Sequence, residues 1–283
     1  MTGNRFNGFS TLGIGVGLRA PHVAHVVTRR PDVAWFEIIS ENFLVDGGRP
    51  LHTLDRIRER YPVVQHGVGL YLGDATGPSR AHLARVKDLV RRTGTPWLTD
   101  HLCWGSVDGT FSHDLLPLPY TAEVARHCAR SIRIIQDTLE VPFAFENVSS
   151  YAAYRESTMT EWQFVTEVAE QADCGILLDV NNVHVSCHNH GWDRQAYLAA
   201  LPVERVGQIH LAGHSVDGAL LIDTHDHPVC DDVWRLYGDA IRRFGAVATC
   251  IERDDHIPPF DELVAELGDA RRTAAAAREE RHG

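Results

Sequence analysis

The chain has no apolar run of the roughly 20 residues that a membrane-spanning helix needs. Its first residues, Met1-Thr-Gly-Asn-Arg-Phe6, lack the basic-then-apolar pattern of a secretory signal. A cytoplasmic protein without a membrane partner is therefore expected. Positive charge is scarce: 27 Lys and Arg stand against 38 Asp and Glu, for a net charge of -11. That balance argues against nucleic acid as a partner, because a broad phosphate-backbone footprint needs a basic face. The six cysteines are scattered, with no CxxC pair and no zinc-finger spacing. In a cytosolic chain of this size they read as reduced thiols, several of them core filler. The stretch Gly13-Ile-Gly-Val-Gly17 lies within a strand pattern and lacks the dinucleotide-binding spacing. No linker-like break is present, and the alanine run near the end is the one low-complexity segment.

What is there is alternation. The 283 residues are 44% apolar and 23% charged, which is ordinary soluble-globular usage. Short apolar runs over 11–18, 33–39, 63–66, 97–101, 143–146, 175–180, 206–210 and 247–252 read as strands. Amphipathic stretches over 21–30, 51–60, 79–93, 121–140, 160–171, 192–200, 229–244 and 260–278 read as helices, with Ser79 and Thr160 as N-caps. Eight strands, each followed by a helix, predict an α/β protein of the (β/α)8 TIM-barrel class. It would be a single domain over residues 1–283 with a charged tail from about 270. A doubly wound open sheet is the alternative. The long connection 102–120 reads as a functional loop.

Active sites of such barrels lie at the carboxyl ends of the strands. The third to eighth predicted strands end on His66, His101, Glu146, Asp179, His210 and Glu252. All six are metal-ligand types, and a charge left unpaired at a buried strand end is costly. A cation is the simplest compensation for Asp179. Asn182 and His184 follow it in what reads as a loop, and Asp223-Thr-His225 lies beyond His210. In an extended segment, residues two apart face the same way, so Asp223 and His225 are placed to share an ion. Ten such ligands exceed the roughly four to six that one ion takes, so the inventory suits two or three. Each His taken singly is better read as hydrogen-bonded structure; convergence on one mouth is what favours metal. His22, His25, His52, His82 and His127 fall away from the mouth and read as surface residues. His188 and His190 form an HxH in an apparent loop past the strand end, and the weight is against them as ligands. His113, in the long fourth loop, is as readily a residue that steadies a metal ligand or touches substrate as a bystander. Imidazoles mixed with carboxylates suit iron, manganese or zinc, and these residue types alone do not choose among them.

The stretches Phe36-Glu-Ile-Ile-Ser-Glu-Asn42, Asp100-His-Leu-Cys-Trp104, Leu115-Leu-Pro-Leu-Pro-Tyr120, Phe145-Glu-Asn147, Leu178-Asp-Val-Asn-Asn-Val-His184 and Ile251-Glu252 together resemble the multinuclear non-heme iron-dependent oxidative enzymes. That family includes the iron enzyme of methanobactin biosynthesis and the enzyme of 3-thiaglutamate biosynthesis. The resemblance runs from about Gly13 to Glu252. It implies a xylose-isomerase-like barrel and two to three Fe ions in mixed Fe(II)/Fe(III) states, with O2 as co-substrate. It also implies oxidative modification of a ribosomally made precursor peptide, usually at cysteine, with a separate leader-recognising partner protein. By the same resemblance, Glu146, Asp179, His210 and Glu252 would hold one metal. His66 and His101 would hold a second, with Glu146 bridging. Asn182, His184, Asp223 and His225 would hold a third, with Asp179 bridging. The rival readings are a divalent-metal sugar isomerase or epimerase, a multi-metal phosphodiesterase, and a non-enzymatic iron or copper binder.

Overall fold

The computed structural model describes residues 8–107 and 110–282. The extreme N-terminus read above for a signal, Asp108 and Gly109 of the long loop, and Gly283 of the tail lie outside the described residues. Eight parallel strands close into a barrel: Ile14–Gly17, Phe36–Ile39, Val63–His66, Leu98–His101, Phe143–Glu146, Gly175–Asp179, Val206–Leu211 and Ala248–Ile251. Each pairs with its sequence neighbour, and the first closes on the last. The expected TIM barrel is the observed fold. No helix among the described residues is long and apolar enough to cross a membrane.

Local signals explain the helices. Ser79 caps Arg80–Thr93, Thr121 caps Ala122–Leu139, and Thr160 with Gln163 makes a full capping box on Glu161–Ala172. Glycines in the left-handed region end the helices at Gly94 and Gly191. The helix Phe260–His282 runs through the stretch expected to be a charged tail. Ala270, Ala274 and Ala277 recur on one face and are buried, so this tail packs as a helix.

The barrel interior is layered. Its amino end is plugged by Trp35, Val64, Trp97, Ala248 and Cys250, with Phe9 and Leu12 packed on them. A polar layer lies above. Trp97 Nε1 donates to Gln208 Oε1 at 2.6 Å, and Gln208 Nε2 donates to Glu37 Oε2 at 2.5 Å. The carboxyl end therefore opens above a floor that is already hydrogen-bonded.

Three segments depart from expectation. Residues 102–120 contain an antiparallel hairpin, Trp104–Val107 with Thr110–Leu116, and a smaller one, Ser215–Asp217 with Leu220–Ile222, follows the seventh strand. The sixth strand passes directly into the helix Val180–His190, with the Asp179 side chain accepting from Asn182 N as its N-cap. This is the region read as loop. Asparagines and β-branched valines are poor helix formers, but Val180 to Cys187 are all buried, so packing overrides propensity.

Candidate metal centre

Strand register places the ligand-type residues side by side. His101 lies opposite Glu146 on neighbouring strands, and Asp179 lies opposite His210. Glu252 follows the last strand immediately, its N–H donating to Leu211 O. Two clusters result. One joins His66, His101 and Glu146; the other joins Glu146, Asp179, His210 and Glu252. Within each, one ligand atom per residue lies within 4.8 Å of the others.

The contacts within these clusters are not hydrogen bonds. Glu146 Oε2 is 3.4 Å from His66 Nε2 and 3.3 Å from His101 Nε2. Glu146 Oε1 is 3.4 Å from His210 Nδ1, which is 3.0 Å from Glu252 Oε2. Both Glu146 oxygens and His210 Nδ1 are buried without a directed partner. The tautomers sharpen the point. His101 Nδ1 faces the Gly67 carbonyl at 3.1 Å, an acceptor only, so it is the protonated nitrogen. His66 Nδ1 faces Thr99 Oγ1 at 2.8 Å, and that hydroxyl donates onward to Gln65 O. In the neutral rings, each Nε2 therefore turns a lone pair towards a bare carboxylate oxygen. Lone pairs facing one another at this spacing repel unless a cation lies between them. A mixed nitrogen–oxygen donor set of this kind fits iron, manganese or zinc.

Titration behaviour follows the same geometry. Burial and the neighbouring His101 hold His66 well below the usual imidazole range. Burial pushes the Glu146 carboxyl up to about 7 against the pull of His210. Burial also raises Asp179, and the nearby Glu146 and Asp223 add to it. Burial opposes charge on His210, but Glu37, Glu252 and Glu146 together hold its proton. Metal ligands must shed such protons, so a cation and these protons compete for one set of atoms.

A third group gathers beside Asp179. His225 Nε2 is 3.7 Å from Asp179 Oδ2 and 2.7 Å from Asp223 Oδ1, again with no directed hydrogen bond. Asn182 lines the same cavity, its Oδ1 bare and its Nδ2 held by the Asn147 carbonyl. Asp223 and His225 thus converge as expected, but not through an extended segment: His225 is in the left-handed region, with φ 49°. Such a conformation is strained for a non-glycine residue.

His184 does not join this group. On the helix Val180–His190 it sits two residues from Asn182, about 200° around the axis, so the two side chains part. Its neighbours are His214 and Cys230. His188 and His190 are on the same helix, not in a loop, and His190 stacks on Trp192 at 4.3 Å. His113 is exposed in the hairpin; its neighbours Asp114 and Leu115 line the cavity, and His113 does not. Of the residues read as surface, His22 is buried with Nε2 2.8 Å from Pro258 O. His82 and His127 are half-buried against Glu41 and the Asp74 carbonyl.

Four supporting residues escaped the sequence reading. Glu37 Oε1 lies 2.8 Å from His210 Nε2, and Gln208 Nε2 lies 3.0 Å from the same nitrogen. Asp100 is buried, accepts from Leu70 N and His101 N, and is pushed up to about 7 by burial and then by Glu41. A Cβ at Gly67 would run into its carboxylate. Arg19 Nη2 bonds Glu252 Oε1 at 2.9 Å and Asp254 Oδ1 at 2.6 Å. Glu37 carried a usable signal, a carboxylate in the middle of the apolar run Trp35 to Ile39. Above the clusters is a cavity of about 560 Å³, into which Arg19, Asn42, Tyr151 and Asp254 also project.

Comparison with known proteins identifies the family and the fold. The model of the family described as "RiPP precursor modification enzyme MbnB/TglH/ChrH" matches residues 13–275. A UPF0276 protein of Anaeromyxobacter sp. (strain Fw109-5) is 54% identical over 266 residues, 94% of each chain. A UPF0276 protein of Caulobacter vibrioides is 53% identical over 267 residues, 94% of this chain and 95% of its own. Among solved structures, an L-ribulose 3-epimerase superposes with a TM-score of 0.60 at 15% identity, covering 95% of both chains. A D-psicose 3-epimerase superposes with a TM-score of 0.58 at 13% identity, covering 96% of this chain and all of its own. At those identities the likeness is one of fold, the xylose-isomerase-like barrel.

Proposed function

This chain belongs to the MbnB/TglH/ChrH family of RiPP precursor modification enzymes, which act on ribosomally made peptides, and from that premise we propose that it oxidises a cysteine residue of a precursor peptide, using two to three Fe ions in mixed Fe(II)/Fe(III) states and O2. The observation that carries the reading is the bare Glu146 carboxylate, with imidazole nitrogens of His66 and His101 on one oxygen and of His210 on the other. A carboxylate so placed is suited to bridging two ions. His66 and His101 would complete one site, Asp179, His210 and Glu252 the second, and Asn182, Asp223 and His225 a third that shares Asp179.

Bound iron would supply a Lewis-acidic, redox-active centre able to engage a thiolate and dioxygen. The chain's own residues do the rest. Thr99 and the Gly67 carbonyl hold the His66 and His101 rings with Nε2 directed inward. Gln208 and Glu37 fix His210 from below. Arg19 anchors Glu252 and offers positive charge at the cavity wall, where a peptide carbonyl or carboxylate would lie. The cavity admits a short peptide segment, and the exposed Phe111 and Val216 on the two hairpins are surfaces on which a leader-recognising partner protein would rest.

The test is anaerobic loading with Fe(II), addition of cysteine-bearing candidate peptides with and without O2, and mass spectrometry of the peptide. An O2-dependent mass change that disappears when the target cysteine is replaced by serine is the expected result. Unaltered peptide across a broad candidate set, with iron bound, would sink the reading. Conversion of a keto-sugar at equal rate under argon would favour the epimerase rival.

A further inference from the structure

The residue that left the barrel mouth has a place of its own. His184, His214 and Cys230 each offer one ligand atom, all within 4.8 Å of one another. They come from three segments: the helix Val180–His190, the loop after the seventh strand, and the residue before the helix Asp231–Phe244. We propose that these three side chains form a separate, mononuclear Zn2+ site on the flank of the barrel, with two imidazole nitrogens, one thiolate and a water in the fourth position.

Two observations point to a ligand. His184 is buried, and its Nδ1 has no hydrogen-bond partner. A bare ring nitrogen in a buried setting is costly unless something binds it. His214 has its tautomer dictated from outside. Asn181 Nδ2 donates to the Asp223 carboxylate at 2.8 Å, an acceptor only, so the amide oxygen is the atom facing His214 Nδ1 at 2.8 Å. Nδ1 must then carry the proton, and Nε2 keeps its lone pair for a metal, the usual way an outer hydrogen bond orients a ligating imidazole. The two ring centroids lie 5.0 Å apart, and one ligand atom of each ring lies within 4.8 Å of the sulfur. Cys230 is a free thiol that spends no side-chain bond on capping its helix. A thiolate there lies at the positive end of the helix dipole. Arg194 is the opposing charge nearby, and Asp232, 4.0 Å from it, offsets it. Two imidazoles, one thiolate and a solvent position make a donor set that zinc accepts.

The site is independent of the iron reading, since none of its three residues lies in the barrel clusters. It would tie three rim segments together, and through Asn181 it would steady Asp223. Iodoacetamide labelling of the full chain, with each cysteine quantified by peptide mass spectrometry, tests it. Added Zn2+ should slow alkylation of Cys230 by about tenfold or more, since the bound sulfur is no longer a free nucleophile. In parallel, Co2+ should give a near-ultraviolet thiolate-to-metal absorption that is lost in Cys230→Ser and in His214→Gln. Alkylation of Cys230 unaffected by Zn2+, or a cobalt–thiolate band that survives in Cys230→Ser, would overturn the proposal. Iron content of Cys230→Ser, measured before any Zn2+ or Co2+ is added, should equal that of the parent chain, which separates this site from the barrel clusters.

Discussion

Two glutamates of this protein, Glu146 and Glu161, are alike by every measure of burial and unlike in what surrounds them. Both are buried, and burial pushes both up to about 7. Glu161 accepts from Tyr197 Oη and Tyr120 Oη, each at 2.8 Å, and from Ser150 Oγ at 3.5 Å. Both of its oxygens are met by hydroxyl donors, and the residue is finished as structure. Glu146 is ringed by imidazole nitrogens, none of them in a directed hydrogen bond to it, and both of its oxygens are bare. The lesson is that burial and a raised pKa do not mark a functional carboxylate. The hydrogen-bond inventory does, because a buried anion without donors demands a cation.

The largest test of that contrast is Glu146→Gln. It should fold but lose bound metal at both clusters, and peptide modification should fall by more than the roughly 10–100-fold that removal of an outer partner costs. Metal analysis beside a turnover assay checks it; full metal content in the variant would erase the distinction drawn here. Gln208→Leu comes next. It removes the donor to Glu37 and the contact to His210 without touching a ligand, so metal affinity should drop by about 10–100-fold, read by competition with a chelator. Equal affinity would show that the floor of the site is only structural.

Glu161 sharpens the other side. Its folded pKa is about 7 against an ordinary 4.5, so between those pH values the folded chain binds more protons than the unfolded one. Stability from this residue is therefore present below pH 4.5 and is lost as pH rises towards 7. Glu161→Gln should remove that loss. The difference between the two stability curves should move by on the order of 3 kcal/mol across the window, before allowance for relaxation. Denaturant titrations at several pH values measure it, and parallel curves would mean that the tyrosines satisfy the anion better than burial penalises it. Metal content of this variant should be normal. The smallest effect is expected for His184→Asn, which should leave the barrel metals in place; loss of one barrel ion would restore His184 to the mouth.

Much of the barrel was legible because strand and helix periodicities are local. The six strand-end residues His66, His101, Glu146, Asp179, His210 and Glu252 could be named from a break in apolar patterning, and they converge. His184 does not follow Asn182 into the mouth, because burial imposes a helix from Val180 that turns the two side chains apart. Glu37 and Gln208 were missed because they lie inside strands, where only the barrel's closure brings them beneath His210. His225 comes to Asp223 and Asp179 through a left-handed turn, not the extended segment that its spacing suggests.

The order of strands and helices, and the chemical type of the residues at the strand ends, were written in the chain itself, since hydrophobic period and side-chain chemistry are properties of neighbours in sequence. Which nitrogen faces which oxygen, which histidine leaves the mouth for a sulfur, and which buried carboxylate is left without a donor were decided only when the eight strands closed. Within the site those are contacts between residues up to 235 positions apart, from Arg19 to Asp254, and no local pattern carries them.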